Sequence, residues 1–172
     1  MVFKVMTDPH LGAVKVSRKY PGEPIEHYRA MTTLITESDL DMLDSVRTVP
    51  CCFQEYVPKK LELRVTVIGE KLFAAEIHSQ ESAETRIDWR NNDADIPYRV
   101  AELPPAVAEK CLGLVRSYGL NFSAMDLIVT PDSRYVFLES NPNGQFLFVE
   151  DKVPELAMSD ELASCLIRGA NA

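Results

Sequence analysis

The sequence predicts an α+β fold, and three observations carry that expectation. Strand-like runs come in adjacent pairs with short turns between them, at residues 61–79 and 124–141. Two longer helical patterns stand apart from those pairs, one after Pro104-Pro105 and one after Pro154. No strand–helix–strand unit repeats along the chain, which disfavours a regularly wound parallel sheet.

Taken in order, Met1 to Met6 reads as a short strand. Thr7 to Pro24 is polar and punctuated by Pro9, Gly12, Pro21 and Gly22, so a loop or loose hairpin is expected there. It carries Lys15, Arg18 and Lys19, a local excess of positive charge. Thr33 to Ile35 is a second short strand. Thr36 and Asp39 form a variant capping box for a small amphipathic helix over Glu37 to Arg47, with Leu40, Leu43 and Val46 at helical spacing. Phe53 to Val57 is strand-like and stops at Pro58.

Leu61, Leu63, Val65 and Val67 alternate with Glu62, Arg64, Thr66 and Ile68, the period of a strand with one apolar face. Taken alone, Glu62 and Arg64 read as a surface ion pair between neighbours on the other face. Gly69-Glu70-Lys71 turns the chain into a second strand, Leu72 to Ser79. After a polar loop containing Asp88-Trp89-Arg90-Asn91-Asn92, Pro104-Pro105 opens a helix with the apolar stripe Val107, Cys111, Leu114, Val115 and Tyr118, and Gly119 is suited to close it. Pro154 to Ile167 reads as a last helix that buries Leu162, Cys165 and Leu166.

The hairpin from Ala124 to Asn141 carries the chemistry. If Asp132 and Ser133 are its two central loop residues, 130 faces 135, 128 faces 137 and Asp126 faces Glu139, with Asn141 two residues further along that face. Two carboxylates directly across a ladder repel. Either they lie on a solvated face, or a hard divalent cation such as Mg²⁺, which prefers oxygen donors, removes the cost. A one-residue slip would put them on opposite faces.

Composition narrows the classes. At 172 residues, 46% apolar and 26% charged, the chain can bury a sizeable core. Its net charge of −8 argues against nucleic acid or an anionic membrane as a partner, and leaves room for a small basic pocket. Cys51, Cys52, Cys111 and Cys165 form no CxxC pair, and three histidines offer no zinc spacing. Reduced cysteines, no signal peptide and no membrane-length apolar run lead to a cytoplasmic expectation.

Five segments together resemble a known family: Phe53-Gln54-Glu55-Tyr56-Val57, Glu62 to Gly69, Asp88-Trp89-Arg90, Gly119 to Phe122 with Ala124 to Asp132, and Phe137 to Gln145. In this order they resemble the C-terminal part of ATP-grasp ligases, and within them the maturases of microviridin-type ribosomal peptides (graspetide synthetases). The resemblance implies an ATP-grasp C-terminal region of antiparallel sheets with packed helices, the family's N-terminal lobe being missing. Residues 1–50 would be a partial small subdomain with the phosphate-lysine strand, and 51–172 the C-terminal subdomain with the Mg-ATP site.

The resemblance also implies roles. Asp126, Glu139 and Asn141 look like the Mg²⁺ ligands. Gln54, Glu55, Tyr56 and Val57 resemble the hinge that reads adenine, Glu62 the ribose ligand, Lys4 and Lys15 phosphate-binding lysines, and Asn92 a further nucleotide contact. Arg64 and Arg90 look like the arginines that hold the γ-phosphate and the acyl-phosphate. The implied activity is an ATP-dependent carboxylate–amine or carboxylate–hydroxyl ligase that cross-links a precursor peptide. The alternative is a truncated, inactive peptide-binding or assembly domain. The family tends to dimerise, so a homodimer is among the expected assemblies. Ser140 stands where the family has an apolar residue, and it is expected to face away from the metal side.

Overall fold

The computed structural model describes residues 2–5, 31–47, 51–91 and 95–170. The chain divides into two compact units, residues 1–56 with 84–94, and residues 57–83 with 95–172. No helix among the described residues is long and apolar enough to cross a membrane.

The first unit holds a three-stranded antiparallel sheet in the order β2-β1-β3, made of β1 (Val2–Val5), β2 (Thr33–Leu34) and β3 (Cys51–Gln54). β3 lies earlier than the expected Phe53 to Val57, because its partner β1 pairs with residues 51–54, Val2 facing Gln54. Glu37–Arg47 is helical as expected, but wound as a 3₁₀ helix. The capping pair forms: Thr36 donates to the Asp39 carboxylate from its backbone N–H at 2.8 Å and its hydroxyl at 2.7 Å.

The second unit is built on a five-stranded antiparallel sheet in the order β6-β5-β4-β7-β8. The strands are β4 (Leu61–Ile68), β5 (Lys71–Ile77), β6 (Tyr98–Val100), β7 (Phe122–Val129) and β8 (Tyr135–Asn141). β4 is central and buried along its whole length. One face packs Leu61, Leu63, Val65, Val67, Met125, Leu127 and Val129 under helix α1 (Pro105–Ser117), which contributes Cys111 and Val115. α1 ends as its glycine foretells. Gly119 takes φ +64, and Gly119 N–H and Leu120 N–H donate to the carbonyls of Arg116 and Val115, the paired bonds of a Schellman motif. Tyr118 is therefore the C-cap and points to solvent, outside the stripe expected for it.

The opposite face is half apolar and half polar. At the Ile68 end, Ile68, Phe73, Ala75 and Phe122 pack with residues of helix α2 (Leu147–Lys152) and helix α3 (Met158–Ala170). The expected last helix is thus divided. Ala157 adopts a left-handed conformation (φ +45), and α3 starts after it, with the Glu150 carboxylate accepting from Ser159 N–H at 2.8 Å. The shift buries Leu156 and Met158, whereas Leu166 is 66% exposed, contrary to expectation. At the Leu61 end the same face carries Glu62, Arg64 and Thr66.

Candidate functional site

Pairing across three strands assembles the site. Arg64 on β4 faces Asp126 on β7, and Asp126 faces Glu139 on β8. The two carboxylates meet as the hairpin register requires, but by a different route. The loop holds three residues rather than two: Thr130 N–H donates to Arg134 O at 2.9 Å, Ser133 is left-handed at φ +60, and Val129 faces Tyr135. That moves the register by one. A bulge moves it back, since Leu127 faces Phe137 while Asp126 faces Glu139, leaving Leu138 as the extra residue. Asn141 follows on the same face, opposite Ala124.

The expected carboxylate repulsion is met by two neighbours. Arg64 Nη1 donates to Asp126 Oδ1 at 2.8 Å, and Asn141 Nδ2 donates to Glu139 Oε1 at 3.1 Å. Arg64 is only 6% exposed, so it is not the surface residue its strand position alone implied. Its Nη2 donates to the carbonyl of Gln145 at 2.6 Å, and its guanidinium lies over the Phe148 ring at 5.7 Å. Its Nε is buried and has no hydrogen-bond partner among the described residues.

The turn after β8 makes this burial achievable. Gly144 N–H donates to Asn141 O at 3.0 Å, folding the segment back over the sheet. A Cβ at Gly144 would come within 2.7 Å of Ala124 Cβ and 3.1 Å of Arg64 Nη2, so only glycine fits without displacement.

Glu62 is likewise buried, and not paired with Arg64. Lys59 Nζ donates to its Oε1 and the Ser79 hydroxyl to its Oε2. Tyr98 on β6 completes the row, because it pairs with Ile77, which pairs with Glu62. Burial pushes the Tyr98 hydroxyl up to about 12, with Glu62 and Asp126 adding to the rise and Arg64 opposing it.

The remaining candidates are distributed as follows. Gln54 and Glu55 are exposed and Tyr56 and Val57 half-buried, and the division between the two units falls between Tyr56 and Val57. Arg90 belongs to the first unit. There it donates through Nε to Asp88 Oδ1 at 2.8 Å and through Nη2 to Oδ2 at 2.5 Å, while Thr32 N–H donates to Asp88 Oδ2 at 2.8 Å. Burial alone would raise the Asp88 carboxyl, but hydrogen bonds and charge from Arg90, with the backbone N–H groups, bring it down to about 2. Lys4 lies on β1 opposite Cys52, and its side chain is outside the description. Lys15 and Asn92 lie outside the described residues.

No group of three or more His, Cys, Asp and Glu side chains is gathered for a metal among the described residues. The donor set here is two carboxylates and an amide, all able to offer oxygen to a cation. Ligands about 2.1 Å from one octahedral ion sit about 3 Å apart when adjacent. The Glu139–Asn141 separation is 3.1 Å, and turning the Asn141 amide over presents its oxygen at the same place.

Solved structures with this architecture are known. The chain superposes on the macrocyclase MdnC from Microcystis aeruginosa, solved with precursor peptide MdnA, with a TM-score of 0.77, 35% identity, and coverage of 98% of this chain and 49% of that one. The RiPP-associated ATP-grasp ligase of Chryseobacterium gregarium, in complex with ADP and a leader and core peptide, gives 0.77, 32%, 86% and 45%. The fold is that of ATP-grasp ligases. Within them, the chain resembles the microviridin-type peptide maturases, and it spans about half the length of these two ATP-grasp relatives. The ATP-grasp ligase PsnB, complexed with Mg, ADP and a phosphomimetic variant of its minimal precursor, matches with a TM-score of 0.59 at 27% identity, over 72% of this chain and 38% of that one. No protein-family model and no curated protein matches the chain.

Three features were missed at sequence level. Gly144 and Gln145 fall within the Phe137 to Gln145 segment, but nothing local there signals the turn or what Gly144 and the Gln145 carbonyl hold. Phe148 carries no local signal of its place over Arg64, and Tyr98 sits on a strand of three residues, too short to show a period.

Proposed function

We propose that the chain is a module of an ATP- and Mg²⁺-dependent carboxylate ligase acting on a ribosomal precursor peptide. The observation that carries this reading is the Arg64–Asp126–Glu139–Asn141 row on the face of an ATP-grasp sheet. A carboxylate is a poor electrophile. Attack of a peptide carboxylate oxygen on the γ-phosphorus of ATP releases ADP and forms an acyl-phosphate. An amine or hydroxyl then attacks the acyl carbon, phosphate leaves with the bond electrons, and the attacking group loses a proton. The product is an amide or an ester, one water lighter than the peptide.

Such chemistry needs positioning and charge neutralisation rather than a nucleophilic side chain. Asp126, Glu139 and Asn141 would hold Mg²⁺, which neutralises phosphate charge. Arg64 offers a fixed, permanently charged guanidinium beside them. Arg90, Lys4 and Lys15 supply further positive charge for phosphoryl oxygens, Asn92 a polar contact, and Gln54 to Val57 the backbone edge for adenine. Glu62 takes the ribose by exchanging the Ser79 hydroxyl for a ribose hydroxyl, a like-for-like replacement.

Calorimetry of the protein with Mg-ATP tests the reading: saturable binding is expected, lost on Mg²⁺ chelation and in Glu139→Ala. No binding to the folded protein would sink it. Mass spectrometry of a candidate precursor peptide incubated with protein and Mg-ATP should show successive losses of water. Peptide affinity without any nucleotide binding or turnover would move the assignment to a peptide-binding module.

A further inference from the structure

Two buried polar atoms on the site face, Arg64 Nε and Thr66 Oγ1, have no hydrogen-bond partner among the described residues. Both residues project from the same side of β4, two positions apart, and they are 6% and 1% exposed. Thr66 faces Phe73 on β5 and Ala124 on β7, and Ile68 follows it along its own strand face. Directly opposite it or next along that face, only Arg64 carries a polar side chain. The arginine leans towards it. An added Cβ at Gly144 would come within 3.1 Å of Arg64 Nη2 and 2.7 Å of Ala124 Cβ, and Ala124 is the residue paired with Thr66. The Gln145 carbonyl and the Phe148 ring lie against the guanidinium, and neither orphaned atom is open to solvent. A buried donor left unpaired is costlier than a trapped water. Residues two apart on a strand stand about 7 Å apart at Cα, and a water making two bonds of about 2.8 Å spans about 5 Å.

We propose that Arg64 Nε and the Thr66 hydroxyl bind one water molecule between them, and that Thr66 is thereby a positioning residue for Arg64. The water accepts from Nε–H and donates to Thr66 Oγ1. With Nη1 on Asp126 and Nη2 on the Gln145 carbonyl, this bridge fixes the remaining edge of the guanidinium plane. A guanidinium held on all its edges keeps its orientation when a phosphoryl group arrives. That consequence rests on the nucleotide-site reading given above, whereas the water and its effect on stability do not.

A crystal structure of the wild-type protein should show a water within hydrogen-bond distance of both atoms. Thr66→Val keeps the shape of the side chain and removes the hydroxyl, and Thr66→Ser keeps the hydroxyl. Thr66→Val is expected to lose the water and to raise the unfolding equilibrium constant about ten-fold in urea titration, because Nε is then left unpaired. Were the hydroxyl buried without a water, the same substitution would leave the protein as stable or more so, and that result overturns the proposal. On folded protein, calorimetry should show Mg-ATP affinity about five-fold weaker in Thr66→Val and close to wild type in Thr66→Ser, a rescue that packing alone would not give. No water at this place in the wild-type crystal, or equal Mg-ATP affinity in wild type and Thr66→Val, overturns the proposal as well. Wild-type protein that binds the water but no Mg-ATP overturns the nucleotide reading alone, and the bridge is then decided by the density and the unfolding measurements.

Discussion

The two faces of the five-stranded sheet are covered by different means, and β4 belongs to both. On the α1 face, Leu61, Leu63, Val65 and Val67 pack into one apolar cluster with Met125, Leu127 and Val129. On the other face, Glu62 and Arg64 are buried nearly as deeply, at 3% and 6% exposure, yet each charge has a defined partner: Lys59 and Ser79 for Glu62, Asp126 and Gln145 O for Arg64. An apolar face tolerates many residues of similar volume, because dispersion and burial are non-directional. A buried charge tolerates few, because removing one partner strands the other. The first face makes the domain stable, and the second holds a fixed arrangement of charges at a cost in stability.

The comparison is broken most strongly at Arg64. Arg64→Ala removes the buried cation that neutralises Asp126 and opens a void beneath the Gly144 turn, so a loss of roughly 3–5 kcal/mol is expected in urea unfolding. Leu63→Ala on the opposite face should cost about 3 kcal/mol by cavity formation while leaving Mg-ATP affinity per folded molecule intact. If calorimetry showed Leu63→Ala weakening nucleotide binding as much as Glu139→Ala does, the two faces would not be separable.

Asp88 gives a third comparison, a buried carboxylate–arginine pair in the other unit. Its folded pKa is depressed to about 2 from an ordinary 3.8, so its stabilisation is fully present above about pH 4 and is lost as pH falls towards 2. Roughly 2 kcal/mol should disappear across that window, and Asp88→Asn should flatten that part of the stability–pH curve. The smallest effect is expected at Ser140, whose hydroxyl shares a hydrogen bond with Ser123 at 2.7 Å on the face away from the site. Ser140→Ala should cost about 1 kcal/mol and leave Mg²⁺ dependence unaltered, read by nucleotide titration at varied Mg²⁺.

Local pattern was a good guide where a residue's surroundings follow from its neighbours in sequence. The alternation of β4, the Gly119 helix end and the Thr36–Asp39 cap all depend on bonds within a few residues, and all appear as expected. The hairpin is instructive because two errors cancel. A two-residue loop was expected and three residues occur, yet the Leu138 bulge restores the facing of Asp126 and Glu139. Neither change has a strong local signal, since Ser133 is not a glycine and Leu138 is an ordinary strand residue.

By itself, the sequence determined the α+β class, the two hairpins β4–β5 and β7–β8, the chemistry of the Arg, Asp, Glu and Asn donors, and the facing of Asp126 and Glu139, but not the β4–β7 pairing that sets Arg64 beside Asp126. Tertiary structure alone decided what covers the face bearing these donors. Periodicity states the side to which a side chain points, but burial depends on what arrives there from distant parts of the chain: α2, the turn at Gly144 and the edge strand with Tyr98. That is why Arg64 reads as a surface residue in the sequence and is a buried, three-way-held cation in the fold.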